Sequence, residues 1–306
     1  LAMRQEIIAL PRSFQPLEGT LNVELSPSLA STLLQTLKPT DSPEEPWNSE
    51  AIVSAFLPDV ATSLALKDSG LNDPDLEARL GNNLEADLRK LMTFHSDDGG
   101  WKWTNSSSNS DAYLTAYILF GLQLASQRGM IQDTAVISEA ISSGRSFLFN
   151  NAEIFTGSLD ENQTWKINRS VFFCYMLDQT GGLEDHLSVV DTLYQYKDVL
   201  DPWAQAMLAM ILYHQNSVDE RAGRLLSDIE SSAIRSASGA HWESNTADWA
   251  NPASPLFTTA MVLNVLAERS PDSEVTADAV RVNIGISSRH SAGDGGVRSV
   301  SRLSDS

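Results

Sequence analysis

The sequence predicts an all-α fold, and three observations carry that expectation. Apolar residues recur at helical spacing in segment after segment from Ser28 onward. A capping residue followed by proline opens three of these segments, at Asp73-Pro74, Asp201-Pro202 and Ser254-Pro255. No stretch after residue 26 shows a convincing period of two.

The first twenty-six residues read differently. Leu21-Asn22-Val23-Glu24-Leu25 alternates apolar and polar side chains, a strand pattern, and Pro11, Pro16 and Gly19 punctuate the approach. Helices are then expected near 28–38 and 50–68. After Asp73-Pro74, Leu76, Leu80, Leu84, Leu88 and Leu91 line one helix face. Asp111 opens a helix carrying Leu114, Tyr117, Ile118, Leu122 and Ala125, and Asp133 opens one carrying Ile137, Ala140, Ile141 and Leu148. Phe172, Tyr175, Met176 and Gln179 run up to the stop at Gly181-Gly182, and Leu187, Val190, Leu193 and Tyr194 follow. Trp203, Ala206, Met207, Met210 and Ile211 form the next face, and Met261, Val262, Val265 and Leu266 another that ends at Pro271. With 218–235 and 274–289 the total is about eleven to twelve helices, interrupted by polar loops at 96–110, 150–164 and 236–254. Such a series must stack as hairpins into a bundle, a solenoid or a closed ring, and periodicity alone does not choose among them.

Composition narrows the function classes. The 306 residues carry 40 acidic and 21 basic side chains, a net charge of −19, which repels phosphate backbones and argues against nucleic acid as a partner. The lone cysteine, Cys174, sits in the apolar run Val171–Tyr175 and reads as a small core hydrophobe. No apolar stretch is expected to reach the ~18 residues of a membrane span. The opening Leu1-Ala2-Met3-Arg4 has no signal-peptide architecture.

A weak internal repeat runs through the loops. Asp97-Asp98-Gly99-Gly100-Trp101-Lys102-Trp103 precedes Leu114-Thr115-Ala116-Tyr117, and Gly239-Ala240-His241-Trp242, with Trp249 beyond, precedes Thr258-Thr259-Ala260-Met261. Gly293-Asp294-Gly295-Gly296-Val297 is a third Gly-rich loop. Recurring loops of one kind suggest helical hairpins that expose the same end. Glycine permits the tight turn and tryptophan plugs the hairpin, a structural role preferred here to ligand stacking.

Three stretches point to a family. Gly19-Thr20-Leu21-Asn22-Val23-Glu24-Leu25-Ser26-Pro27-Ser28-Leu29-Ala30 resembles the entry strand of the thioester domain of bacterial α2-macroglobulins. Asp98-Gly99-Gly100-Trp101-Lys102-Trp103 with Ser110-Asp111-Ala112-Tyr113-Leu114-Thr115-Ala116-Tyr117 resembles that domain's signature, and Leu256-Phe257-Thr258-Thr259-Ala260 a later helix start. The resemblance implies an α/α toroid, a ring of helical hairpins, over 27–290. It makes 1–26 the entry from a preceding β-domain and leaves 291–306 as a truncated or disordered tail. It also implies a periplasmic or cell-envelope location, neighbouring macroglobulin-type β-domains and proteases as partners, and no cofactor.

The family's defining chemistry is absent. Its reactive run is Cys-x-Glu-Gln, in which the cysteine sulfur and the glutamine carbonyl join as a thioester. Ser54-Ala55-Phe56-Leu57-Pro58 fixes the register here. Glu50 then falls on the glutamate and Ala51 on the glutamine, while the cysteine position falls on Asn48, or on Ser49 with one residue deleted. Neither bond-forming group is present. The last loop departs as well, with Val297 where tryptophan is expected.

Other chemistry finds little support. Asp97, Asp98, Asp111, Glu243 and Asp248 could gather at one end of a ring, as paired carboxylates do in glycosidases. Asp111, however, reads as a helix cap and Asp98-Gly99 as a turn. The five histidines show no i, i+4 pair and there is no Cys-x-x-Cys, so no metal site is expected. The resulting expectation is a non-catalytic interaction domain of a protease inhibitor. An α/α-toroid enzyme acting on polysaccharide or isoprenoid is the alternative.

Overall fold

The computed structural model describes residues 48–281, except 71–72, 128, 132–133, 158, 161, 237–238 and 245–253. The expected entry strand at 21–25, the helix near 28–38, the cap Asp133, Trp249, Asp248, the third Gly-rich loop and the tail lie outside the described residues.

The elements are α1 (Ser49–Ser69), α2 (Pro74–Met92), α3 (Ala112–Gln127), α4 (Thr134–Asn151), α5 (Glu153–Thr156), α6 (Thr164–Gln179), α7 (Leu187–Gln195), α8 (Pro202–Gln215), α9 (Glu220–Ser231) and α10 (Pro255–Arg269). A further helical stretch covers 274–281, and 3-10 turns lie at Glu184–His186 and Lys197–Val199. The fold is all-α. Its one sheet among the described residues is a hairpin of β1 (Ile234–Ser236) and β2 (Gly239–His241), with Arg235 opposite Ala240. This corrects the expectation of helix up to residue 235. Three-residue strands are too short to show a period.

The packing order separates two kinds of helix. α1, α3, α6, α8 and α10 lie side by side in that order, while α2 packs on α1, α4 on α3, and α9 on α8. α3, α6 and α8 each have an inner neighbour on both sides and are largely buried along their length. In α8 every residue from Ala206 to Leu212 is buried. The outer helices are two-faced: α9 buries Ala222, Leu225, Leu226 and Ile229 and shows its charges to solvent.

One helix departs from the expectation that no apolar stretch reaches the length of a membrane span. Ser49–Asp68 is long and apolar enough to cross a bilayer by length and composition, although 44% of that stretch is buried in the fold. Pro58 sits within it, and the Pro58 carbonyl accepts the Thr62 hydroxyl at 2.7 Å.

Contacts between helix ends fix direction. Ser49 at the start of α1 bonds the loop just before α3, Arg169 in α6 lies over the ring of Tyr113 in α3, and Asn168 in α6 bonds Asp201 at the start of α8. Ser244, ahead of α10, also bonds Asp201. The inner helices therefore all begin at one end of the layer.

Candidate functional site

The candidate site is the end where the inner helices begin. The start of α1 places Asn48, Ser49, Glu50 and Ala51 in one turn. Asn48 is the N-cap, with extended backbone, and its Oδ1 accepts the Ala51 N–H at 2.7 Å. Ser49 is fully buried. Its N–H donates to the Trp103 carbonyl at 3.0 Å, and its hydroxyl donates to the Lys102 carbonyl at 2.5 Å and to the Trp103 carbonyl at 3.2 Å. Glu50 points along the helix and accepts the Ser54 hydroxyl at 2.9 Å. The segment around residue 50 thus lies directly against the first Gly/Trp loop.

That loop is built to bring backbone close. Gly99 has φ +87°, and a Cβ there would stand 2.6 Å from the Ser143 carbonyl of α4. A Cβ on Gly100 would meet Ser110 Cβ at 2.6 Å and the ring of Phe147 at 3.0 Å. Asp98 Oδ1 accepts the Gly100 N–H and the Ser110 hydroxyl, and Asp111 Oδ1 caps α3 by accepting from Leu114 N–H. These two carboxylates hold turns and helix starts.

The two Gly/Trp loops share one bonding pattern. The Trp101 amide donates to Thr115 Oγ1 in the following inner helix at 2.9 Å, and its indole N–H donates to the Leu91 carbonyl at the end of the preceding outer helix at 3.0 Å. The Trp242 amide donates to Thr259 Oγ1 at 3.1 Å and its indole to the Ile229 carbonyl at 2.8 Å. Both rings are fully buried. Each tryptophan brackets an outer helix to the next inner one. Trp103 differs, with 39% of its surface exposed.

Sequence reading missed an aromatic and cationic cluster beside this turn. Tyr113 stacks on Tyr117 and on Phe172, and the Arg169 guanidinium lies over Tyr113 and Trp165 at 5.6 and 5.0 Å. Burial pushes the Tyr113 phenol up to about 12, with the neighbouring Tyr117 and Glu50 adding to the rise. A cavity of about 150 Å³ opens here, lined by Asp111, Tyr113, Glu153, Trp165, Lys166 and Arg169 among others. Lys166 pairs with Glu153 at 2.7 Å. Arg169 and Trp165 belong to different turns of α6, so no short motif signals them.

Other expectations sort as follows. Asp201 stands at the N-cap of α8, but its side chain makes no cap bond. It accepts the Ser244 hydroxyl at 2.6 Å, tying α8 to the loop before α10. Glu243 faces His241 at 3.6 Å. Cys174 is wholly buried, which pushes its thiol well above the ordinary range. Among the described residues, no group of three or more His, Cys, Asp or Glu could hold a metal ion.

No protein-family model matches the chain, and no curated protein matches it. Solved structures do. Salmonella alpha-2-macroglobulin reacted with methylamine superposes with a TM-score of 0.60 at 16% identity, over 86% of this chain and 16% of that one. Native Escherichia coli alpha-2-macroglobulin from domain MG7 to the C-terminus gives 0.60 at 16% identity, over 84% and 38%. The native Escherichia coli protein in single-particle reconstruction gives 0.61 at 16% identity, over 84% and 15%. The fold is one found in bacterial alpha-2-macroglobulins. This chain spans between about one seventh and two fifths of those alpha-2-macroglobulin chains. Further Escherichia coli structures with this fold are of alpha-2-macroglobulin activated by trypsin and by porcine elastase.

Proposed function

We propose that the chain is the thioester-domain counterpart of an alpha-2-macroglobulin-type protease inhibitor and works without a thioester. One observation carries this reading. At the start of α1 the positions of the Cys-x-Glu-Gln run hold Asn48, Ser49, Glu50 and Ala51, and the Asn48 side chain is spent on the Ala51 amide at 2.7 Å. An acyl thioester needs a sulfur and a side-chain carbonyl three residues apart. The cysteine position carries the carboxamide of Asn48, or the hydroxyl of Ser49 with one residue deleted, the last position carries a methyl group, and the sole sulfhydryl, Cys174, is buried within α6. The fold shared with the Salmonella and Escherichia coli proteins supports the assignment.

In this reading the chain is a non-catalytic packing partner for neighbouring macroglobulin-type β-domains, in the periplasm or cell envelope. Any hold on a protease is steric and non-covalent. The inner and outer helices continue around a closed α/α toroid. Residues 27–290 make up that ring and 1–26 enter it from a β-domain.

Exposure to methylamine followed by intact-mass measurement and thiol titration tests the reading. The native protein should gain no mass and release no thiol. A single methylamine adduct on the α1 turn would overturn it.

A further inference from the structure

The opposite end of the inner layer, where α3, α6 and α8 finish, holds a polar cavity of about 320 Å³. It is lined by Gln127, Asp178, Gln179, Gly181, Leu183, Glu184, His214 and Gln215. Asp178, in the last turn of α6, has only 4% of its side chain exposed. Its Oδ2 takes His214 Nδ1 from the end of α8 at 2.5 Å, and its Oδ1 takes the Gln215 amide at 3.1 Å. The Gln179 amide adds a longer bond at 3.4 Å to Asp178 Oδ2. The Asp178 carboxylate is thus held from α8 by two consecutive side chains.

We propose that Asp178 and His214 form a pH-sensitive clasp that binds the ends of α6 and α8 on the wall of this cavity and slackens as pH rises. Nothing in this proposal depends on the reading of the α1 turn.

The groups facing His214 are Asp178 on α6, Glu268 and Arg269 on α10, and Glu184 across the cavity. The bond to Asp178 and the charges of Asp178 and Glu268 hold the proton on the ring, while burial and Arg269 oppose it. The balance raises His214 above the ordinary imidazole range. Carbonyl ends of α6 and α8 at this end of the layer favour the cation too. The charged pair is present below the unfolded-state pKa of histidine. It is lost as pH climbs through the raised value. A neutral imidazole can still donate from Nδ1, so the clasp loses its charge and keeps one hydrogen bond.

Proton NMR of the His214 ring across pH 5–9, in the wild type and in D178N, reads the pair directly. The wild-type midpoint should lie above the ordinary range and fall toward it in D178N. Thermal midpoints give a second readout. The wild type should exceed H214Q by about 1–3 °C at pH 6, and that margin should vanish by pH 9. H214R should keep its margin at both values, since its charge is fixed. Global charge effects cancel in each difference. A margin equal at pH 6 and pH 9, or a wild-type midpoint at or below the ordinary range, would overturn the proposal. The latter result needs no variant to fold.

Discussion

The indole N–H of Trp101 donates to the Leu91 carbonyl at 3.0 Å, closing the last turn of α2 onto the loop that leads into α3. The same ring is fully buried and its own amide is taken by Thr115. Truncating it removes packing and leaves the Leu91 carbonyl without its indole donor, while the backbone bond to Thr115 remains available. Trp101→Ala should cost about 3–5 kcal/mol in urea denaturation. Trp101→Phe keeps most of the ring and should cost less than Trp101→Ala.

Thr115 and Thr259 play equivalent parts in the two brackets. Thr115→Val and Thr259→Val preserve shape and leave a buried tryptophan amide without an acceptor. Each should cost about 1–3 kcal/mol, and the double variant should show additive losses because the two sites share no partner.

Gly99 and Gly70 both have positive φ, yet only Gly99 is crowded. Gly70→Ala should cost about 1–2 kcal/mol, the ordinary penalty for a left-handed residue with a Cβ. Gly99→Ala adds a clash with the Ser143 carbonyl, and its melting midpoint should fall clearly further.

Cys174 should be invisible to an aromatic disulfide reagent at pH 8 in the native protein and titrate as one thiol in guanidinium chloride. Reaction in the native state at the rate of a free thiol would contradict its burial.

Tyr113 and Tyr175 are both raised to about 12 by burial. Each remains neutral in the fold where the unfolded chain ionises near 10. The stability they lend is whole below pH 10 and drains away as pH rises toward 12. Ultraviolet titration at pH 11 should find both unionised in the native state.

The helices were legible because each kind leaves its own mark. Outer helices such as α2 and α9 are two-faced, so Leu80, Leu84 and Leu91 stand out at helical spacing. Capping was legible where a side chain does it, as at Asp73 and Ser254, and failed at Asp201, whose carboxylate is drawn to Ser244 from a distant loop. The apolar length of α1 was under-read. An inner helix surrounded by neighbours carries the same apolar signal as a membrane span, and only its packing on α2 and α3 tells them apart. Likewise the Tyr113–Arg169–Trp165 cluster joins residues more than fifty positions apart, and no local pattern encodes such a meeting.

The shared starting end of the five inner helices carries an electrostatic consequence. Each inner helix presents its unpaired amides at that end, where the first turn favours an acceptor or an anion, while the outer helices run the other way and offset the summed dipole. Asp98, Asp111 and Asp201 stand at the first end, and Asp178, Glu184, His214 and the glutamines line the second. What the shared end gives the molecule is local: Asp111 and Asp201 meet helix starts there, whereas Asp178 at the far end relies on His214 and Gln215 to offset the helix carbonyls around it.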